Sequence, residues 1–362
     1  MKVLITGSNP DTKNNVAGIG TVINVLMKNN KVKYKLLTVG RKSKEFYGFK
    51  WLIQKIDFFI LLNQTIKDSD FQLAHINTCM DNFAIIREFL VLFFLKQKNK
   101  KVLLHIHGGK YLFKNHKNII INYMIDYNFK ISDMIVVLSE YEKQSIILKK
   151  YLRKVFVLQN CIDTNEIKGE MKTAPVNNNI LFMGRIVESK GIIDLVDSLI
   201  LLSKRTKINF HFHLCGAGIL QDEIIEKLEK NLKSKYTFYG IVQSKEKWDI
   251  LNKCQIFILP SRWGEGLPMG MLEAMAFGKT IIVTDDASMK VIINDNINGV
   301  LVKKCDPDDI ALKLEYLLKN EERMKDLGDN AKNYFDLNFD LNTYYSTVMS
   351  YYNALIIGNN LN

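Results

Sequence analysis

The sequence predicts an α/β protein of two domains, each built on a parallel sheet covered by helices on both faces. Three observations carry that expectation. The 362 residues exceed what one ordinary core holds. Short apolar runs alternate with amphipathic stretches of helical length from end to end. The alternation lapses once, near the middle, in a polar segment. Hydrophobic residues make up 47% and charged residues 24%, an ordinary globular composition that argues against a disordered or fibrous chain.

In the first half, KVLIT, YKLLTV, LAHIN, KVLLHIHG, MIVVLS and KVFVLQN read as buried strands; in the second, NILFMGR, INFHFHLCG, YTFYG, CQIFILP, KTIIVTD and GVLV do. The polar lapse marks a linker at 166–178, between an N-terminal domain at 1–165 and a C-terminal domain at 179–340. Residues 341–362 then read as a closing helix and tail. The Tyr- and Phe-rich helix needs a surface to pack on and is expected to turn back towards the N-terminal domain.

The net charge of +12 is unevenly placed. Residues 1–170 carry 27 Lys and Arg against 14 Asp and Glu, or +13, while the remainder carries 23 against 24, or −1. An anionic membrane surface or a phosphate-bearing substrate suits such a domain. A basic nucleic-acid binder is the alternative, but no recognition motif accompanies the charge, so no nucleic-acid partner is expected. Five scattered cysteines without a CxxC pair argue against a disulfide framework or a zinc site and fit a reducing compartment. The opening MKVLITGSNP runs straight into a strand without the zones of a signal peptide. Apolar runs such as FLVLFFL are too short to cross a bilayer. A cytoplasmic protein is expected, with peripheral attachment at the inner face of the membrane left open.

In open α/β sheets ligands bind beyond the carboxyl ends of the strands, so the cleft between two such domains is the expected site. Gly18 and Gly20 precede an apolar helix expected from about Thr21, where free N–H groups can hold an anion; an ordinary flexible turn is the other reading. His107 ends the strand KVLLHIH before Gly108 and Gly109, with His105 on the same face. Arg185 and Lys190, in the loop after NILFM, can converge on a diphosphate. In PSRWGEGLPMGMLEAMAFGKTIIVTD, Pro268 suits a helix start and Gly278 a left-handed helix stop. Glu265 and Glu273 then straddle the anion-attracting end of that helix.

These motifs together resemble the retaining nucleotide-sugar glycosyltransferases of family 4. EGLPMGMLE matches that family's E-x7-E motif, and MGRIVESKG, VLQNCID, SDMIVVLSE, HIHGG and NGVLV match others in order along most of the chain. The resemblance implies a GT-B fold: two facing Rossmann-like domains with an interdomain cleft, the donor held mainly by the C-terminal one and the acceptor by the N-terminal one. It assigns Arg185 and Lys190 to the donor diphosphate, Glu273 to the ribose hydroxyls and Glu265 to the transferred sugar. Backbone amides of Gly266 and Leu267 would meet sugar or phosphate, Ile241 would lie against the base, and His107 would face the reacting sugar. The implied donor is a UDP-sugar, with a GDP-sugar second. The implied acceptor is a glycan or lipid-diphosphate-linked glycan, extended into a cell-surface polysaccharide or glycolipid. Neither cofactor nor metal is implied, and no DxD motif stands at a strand end. No nucleophile is identifiable, which favours same-face attack over double displacement. Two departures stand out: Ala17-Gly18 replaces a glycine pair, and DASMKVI puts Lys290 near a usual acid. Nucleotide-sugar 2-epimerases share the fold and are the alternative enzyme class.

Overall fold

A computed structural model describes residues 1–8, 18–39, 61–67, 70–145, 147–167, 169–170, 178–263, 265–286 and 288–358. The loop ahead of Gly18 with Ala17, residues 168 and 171–177 of the expected linker, Ala287 and the tail from 359 lie outside them. The chain divides into two compact units, Met1–Asn160 with Asn342–Asn362, and Cys161–Leu341.

All twelve apolar runs are strands. Unit 1 holds β1 (Lys2–Gly7), β2 (Lys33–Thr38), β3 (Leu73–Thr78), β4 (Lys101–Ile106), β5 (Met134–Val137) and β6 (Val155–Val157). They pair in parallel in the order β2-β1-β3-β4-β5-β6. Every residue of β3 and β5 is buried, as strands covered on both faces require. On one face Ala74, Leu104 and Ile135 pack with Leu92 and Leu95 of helix Asn82–Gln97 and with Ile125 and Phe129 of helix Ile119–Ile131. The closing helix Leu341–Ile357 also packs against unit 1. Its Tyr351 hydroxyl donates to Val157 O at 2.7 Å, Tyr345 donates to Val25 O at 2.9 Å, and Tyr352 is fully buried.

Unit 2 holds β7 (Asn179–Met183), β8 (His211–Cys215), β9 (Tyr236–Gly240), β10 (Ile256–Leu259), β11 (Thr280–Thr284) and β12 (Val300–Val302). Their order is β12-β11-β10-β7-β8-β9, again all parallel. Cys161 opens this unit, and its buried thiol bonds Phe339 O at 3.2 Å. Strand order reverses between β7 and β10, where β10 sits beside β7 and the chain winds outward on either side. A reversal of this kind opens a crevice at the carboxyl ends of the two strands, because successive crossovers diverge to opposite faces.

Candidate active site

The crevice of unit 2 is therefore lined by the chain leaving β7 and the chain leaving β10. The first carries Arg185 and Lys190, the second Ser261, Arg262 and Glu265. Lys190 Nζ forms a salt bridge with Glu265 Oε1, which also accepts from Ser261 Oγ at 2.7 Å. Glu265 is only 5% exposed. A carboxylate so buried needs its cation, and the pair holds both side chains at the switch point. Arg262 ties the same two loops together. Its guanidinium takes Asp194 through two bonds of 2.7 Å and Glu188 at 2.8 Å, while its N–H donates to Ser189 O at 2.9 Å. Hydrogen bonding to Asp194 pushes the Arg262 pKa further up. Arg185 is exposed and makes no ion pair among the described residues, so its charge remains available to a ligand beside the committed Lys190.

The helix after Glu265 spans Met269–Ala276, with Pro268 at its N-cap, one residue before the first helical turn. Pro268 O accepts from Met271 N at 3.2 Å and Leu272 N at 3.3 Å, so the proline opens the helix without removing a bond. Gly278, at φ 64°, closes it. Gly270 is explained by contact: a Cβ there would stand 3.3 Å from Met183 O and 3.5 Å from the Phe257 ring. The small residue lets the helix mouth press onto the ends of β7 and β10. Gly266 and Leu267 are buried at this mouth. Glu273, also 5% exposed, receives Lys247 Nζ at 2.6 Å from helix Ser244–Lys253. Trp248 beside that lysine stacks on Phe277, ring centroids 5.5 Å apart. Sequence reasoning missed Lys247, Ser261 and the Arg262 brace. A floor of backbone completes the crevice: Gly184 N donates to Cys215 O at 3.1 Å and Gly216 N to Gly240 O at 2.6 Å. Ile241 follows directly, half-buried.

In unit 1, helix Gly18–Met27 starts three residues earlier than expected. Gly18 and Gly20 thus lie inside its first turn rather than in a loop ahead of it, and Gly20 is buried.

His107 sits just past β4, half-buried. Asn77 Nδ2 donates to Thr6 O at 2.9 Å, which turns Asn77 Oδ1 towards His107 Nε2 at 2.8 Å. An amide oxygen can only accept, so Nε2 carries the proton and Nδ1 keeps its lone pair. Nδ1 is buried and has no hydrogen-bond partner among the described residues. The His105 ring lies tilted against His107 with centroids 4.1 Å apart, and its Nδ1 meets His75 Nε2 at 3.1 Å. His75 Nδ1 meets the Tyr352 hydroxyl at 2.6 Å, and Tyr34 bonds that hydroxyl at 3.3 Å. Three histidines and two tyrosines thus run through the core to the closing helix. Burial pushes His107 and His75 down to about 3 and His105 well below its ordinary value, so all three are neutral at pH 7.

Since these folded-state values are depressed, the unfolded chain binds more protons below pH 6.5, and stability falls as pH drops from there towards 3. Each histidine contributes a slope of about 1.4 kcal/mol per pH unit. Urea midpoints between pH 7 and 5 should decline less steeply in His105→Phe than in the parent; equal slopes would contradict the neutral cluster.

Among the described residues no group of three or more His, Cys, Asp or Glu side chains is placed to share a metal ion. Residues 163–334, nearly the whole span of unit 2, match the family described as Glycosyl transferases group 1. The chain is similar to an uncharacterized glycosyltransferase of Methanocaldococcus jannaschii, 31% identical over 240 residues, which make up 66% of this chain and 65% of that relative. It is also 31% identical, over 209 residues, to a GalNAc-alpha-(1->4)-GalNAc-alpha-(1->3)-diNAcBac-PP-undecaprenol alpha-1,4-N-acetyl-D-galactosaminyltransferase of Campylobacter jejuni, covering 57% of this chain and 56% of that one. Among solved structures, HepE of Anabaena in complex with UDP and glucose aligns over 98% of this chain and 100% of its own, with TM-score 0.73 at 14% identity. Sucrose-phosphate synthase from Thermosynechococcus elongatus aligns over 99% and 100%, with TM-score 0.79 at 14% identity. The class these likenesses and the two doubly wound sheets define is the GT-B fold, and the two sequence relatives given above are glycosyltransferases by name.

Proposed function

We propose that this chain is a retaining, metal-independent hexosyltransferase that moves a sugar from a nucleoside-diphosphate donor, UDP before GDP, to a glycan or lipid-diphosphate-linked acceptor in cell-surface polysaccharide biosynthesis. The observation that carries the reading is the Lys190–Glu265 pair at the switch point of unit 2, beside the exposed Arg185 and the mouth of helix Met269–Ala276. Breaking a sugar–diphosphate bond leaves negative charge on the departing phosphate while the sugar gains oxocarbenium character. Fixed cations and a helix end aimed at the phosphate lower that barrier most, since they need no rearrangement as charge develops. Lys190, oriented by Glu265, and Arg185 fill that role. Glu273 accepts ribose hydroxyls by sharing Lys247, and Ile241 lies against the base. His107, just past β4, would face the reacting sugar.

Relatives support the acceptor class. The Campylobacter jejuni enzyme is named for an undecaprenol-diphosphate-linked acceptor, and a Staphylococcus aureus relative, 26% identical over 212 residues, for poly(ribitol-phosphate). Both names specify an α linkage, which fits retention from an α-linked donor.

Thermal unfolding with UDP, GDP and their sugars tests the donor. A nucleotide at about a hundred times its Kd adds roughly 2.7 kcal/mol, so a rise of about 5 °C or more is expected with UDP ligands. No rise with any nucleotide would overturn the reading, and a changed free sugar without acceptor would mark an epimerase instead.

A further inference from the structure

We propose that the outer face shared by helices Asn82–Gln97 and Ile119–Ile131 docks unit 1 onto an anionic lipid surface. The proposal deepens the lipid-linked acceptor reading and rests on it for its purpose, while its physical basis stands apart. Each helix satisfies the sheet with one stripe: Ile85, Leu92 and Leu95 from the first, Ile121, Ile125 and Phe129 from the second. Their opposite stripes are apolar as well. Ile86, Leu90 and Phe93 recur at helical spacing on the first, and Ile119, Ile120 and Tyr123 on the second. These six are exposed, with Phe93 at 41%, Tyr123 at 63% and Ile119 at 80%. A helix turned fully to water carries polar residues there, so apolar residues on both faces mark a second apolar contact.

The two stripes form one surface. The helices pack side by side through Asn128 Nδ2, which donates to Ile85 O at 3.2 Å, and the Phe89 and Tyr127 rings meet at 4.8 Å, with Tyr123 6.3 Å from Tyr127. Charge selects the occupant. Exposed Lys98 caps the first helix, Lys130 lies in the last turn of the second, and Lys114 and Lys117 stand just ahead of the second. The acids of these two helices are already neutralised: Glu88 is buried against Arg87, and Asp126 is held by Lys150 and by the Tyr151 hydroxyl at 2.7 Å. Apolar side chains with lysines near the ends of their helices match a bilayer interface, where anionic headgroups lie beside hydrocarbon. Helix Ile119–Ile131 also begins twelve residues after His107, so docking here keeps the carboxyl edge of the unit 1 sheet close to membrane-borne acceptors.

Cosedimentation of the full chain with phosphatidylcholine vesicles, with and without phosphatidylglycerol, tests this. Binding at least about tenfold stronger to the anionic vesicles is expected. Phe93→Ser/Ile119→Ser/Ile120→Ser should lower it at least about tenfold with an unchanged melting temperature. Lys114→Gln and Lys117→Gln should each lower it roughly fivefold on anionic vesicles alone. Absence of binding to either vesicle, or equal binding by parent and triple variant, would overturn the proposal. So would a parent dimer that the triple variant abolishes, since the face would then pair two copies. The rise in melting temperature with UDP reports on unit 2, so failure of the docking face and failure of the proposed function are told apart.

Discussion

Lys190→Ala is expected to weaken UDP binding by about 10- to 100-fold, the range for losing a charge-assisted hydrogen bond to a ligand phosphate. The drop in turnover should be larger, on the order of 100- to 1000-fold, because phosphate charge grows in the transition state. The substitution has a second consequence that must be separated from the first. Glu265 would remain buried with Ser261 but without its cation, and uncovering one partner of a buried pair costs about 3–5 kcal/mol. Lys190→Met/Glu265→Gln removes both charges together and should recover most of that stability. If the double variant is stable yet still fails to bind UDP by calorimetry, the loss belongs to the ligand contact. Normal UDP affinity in a folded Lys190→Ala would refute the site.

What could be read beforehand, and what could not, divides along range in the chain. Strands such as β3 and β5 are buried on both faces, so their apolar runs carry the signal locally. Glu265, Pro268, Glu273 and Gly278 likewise sit within one strand-loop-helix unit whose turn chemistry is visible in fourteen residues. Their partners were hidden. Lys190 reaches Glu265 from 75 positions away because β7 lies beside β10, and strand order is not written in either motif. Lys247 is one of many lysines on amphipathic helices, and nothing near it marks the one that meets Glu273. The choice between His105 and His107 depends on which lies past the strand end and on Asn77, thirty residues earlier. Tyr352 reaches His75 across 277 positions because the closing helix belongs to unit 1. The start of helix Gly18–Met27 was displaced by three residues for a simpler reason: its sequence is apolar from the first turn, so Gly18 and Gly20 fall inside it.

Gly191→Ala should be among the most damaging single methyls in unit 2. Gly191 follows Lys190 and caps helix Ile192–Arg205 at φ 68°, a left-handed conformation that costs an alanine roughly 1–2 kcal/mol. The added Cβ would also fall 1.8 Å from Pro260 O. That oxygen belongs to backbone at the end of β10, so relief requires the β7 and β10 loops to part. Those are the loops that the Lys190–Glu265 pair and Arg262 hold together. Destabilisation beyond about 3 kcal/mol by urea unfolding is expected, with weaker UDP binding in whatever remains folded. Gly278→Ala supplies the control. Its φ of 64° is nearly the same, but the nearest atom to a new Cβ is 3.8 Å away, so only the backbone term of about 1–2 kcal/mol applies. Equal losses in the two variants would mean that left-handed strain alone sets the cost. A larger loss at Gly191, accompanied by loss of UDP binding that Gly278→Ala does not show, would tie the close approach of the two loops to the geometry of the donor site.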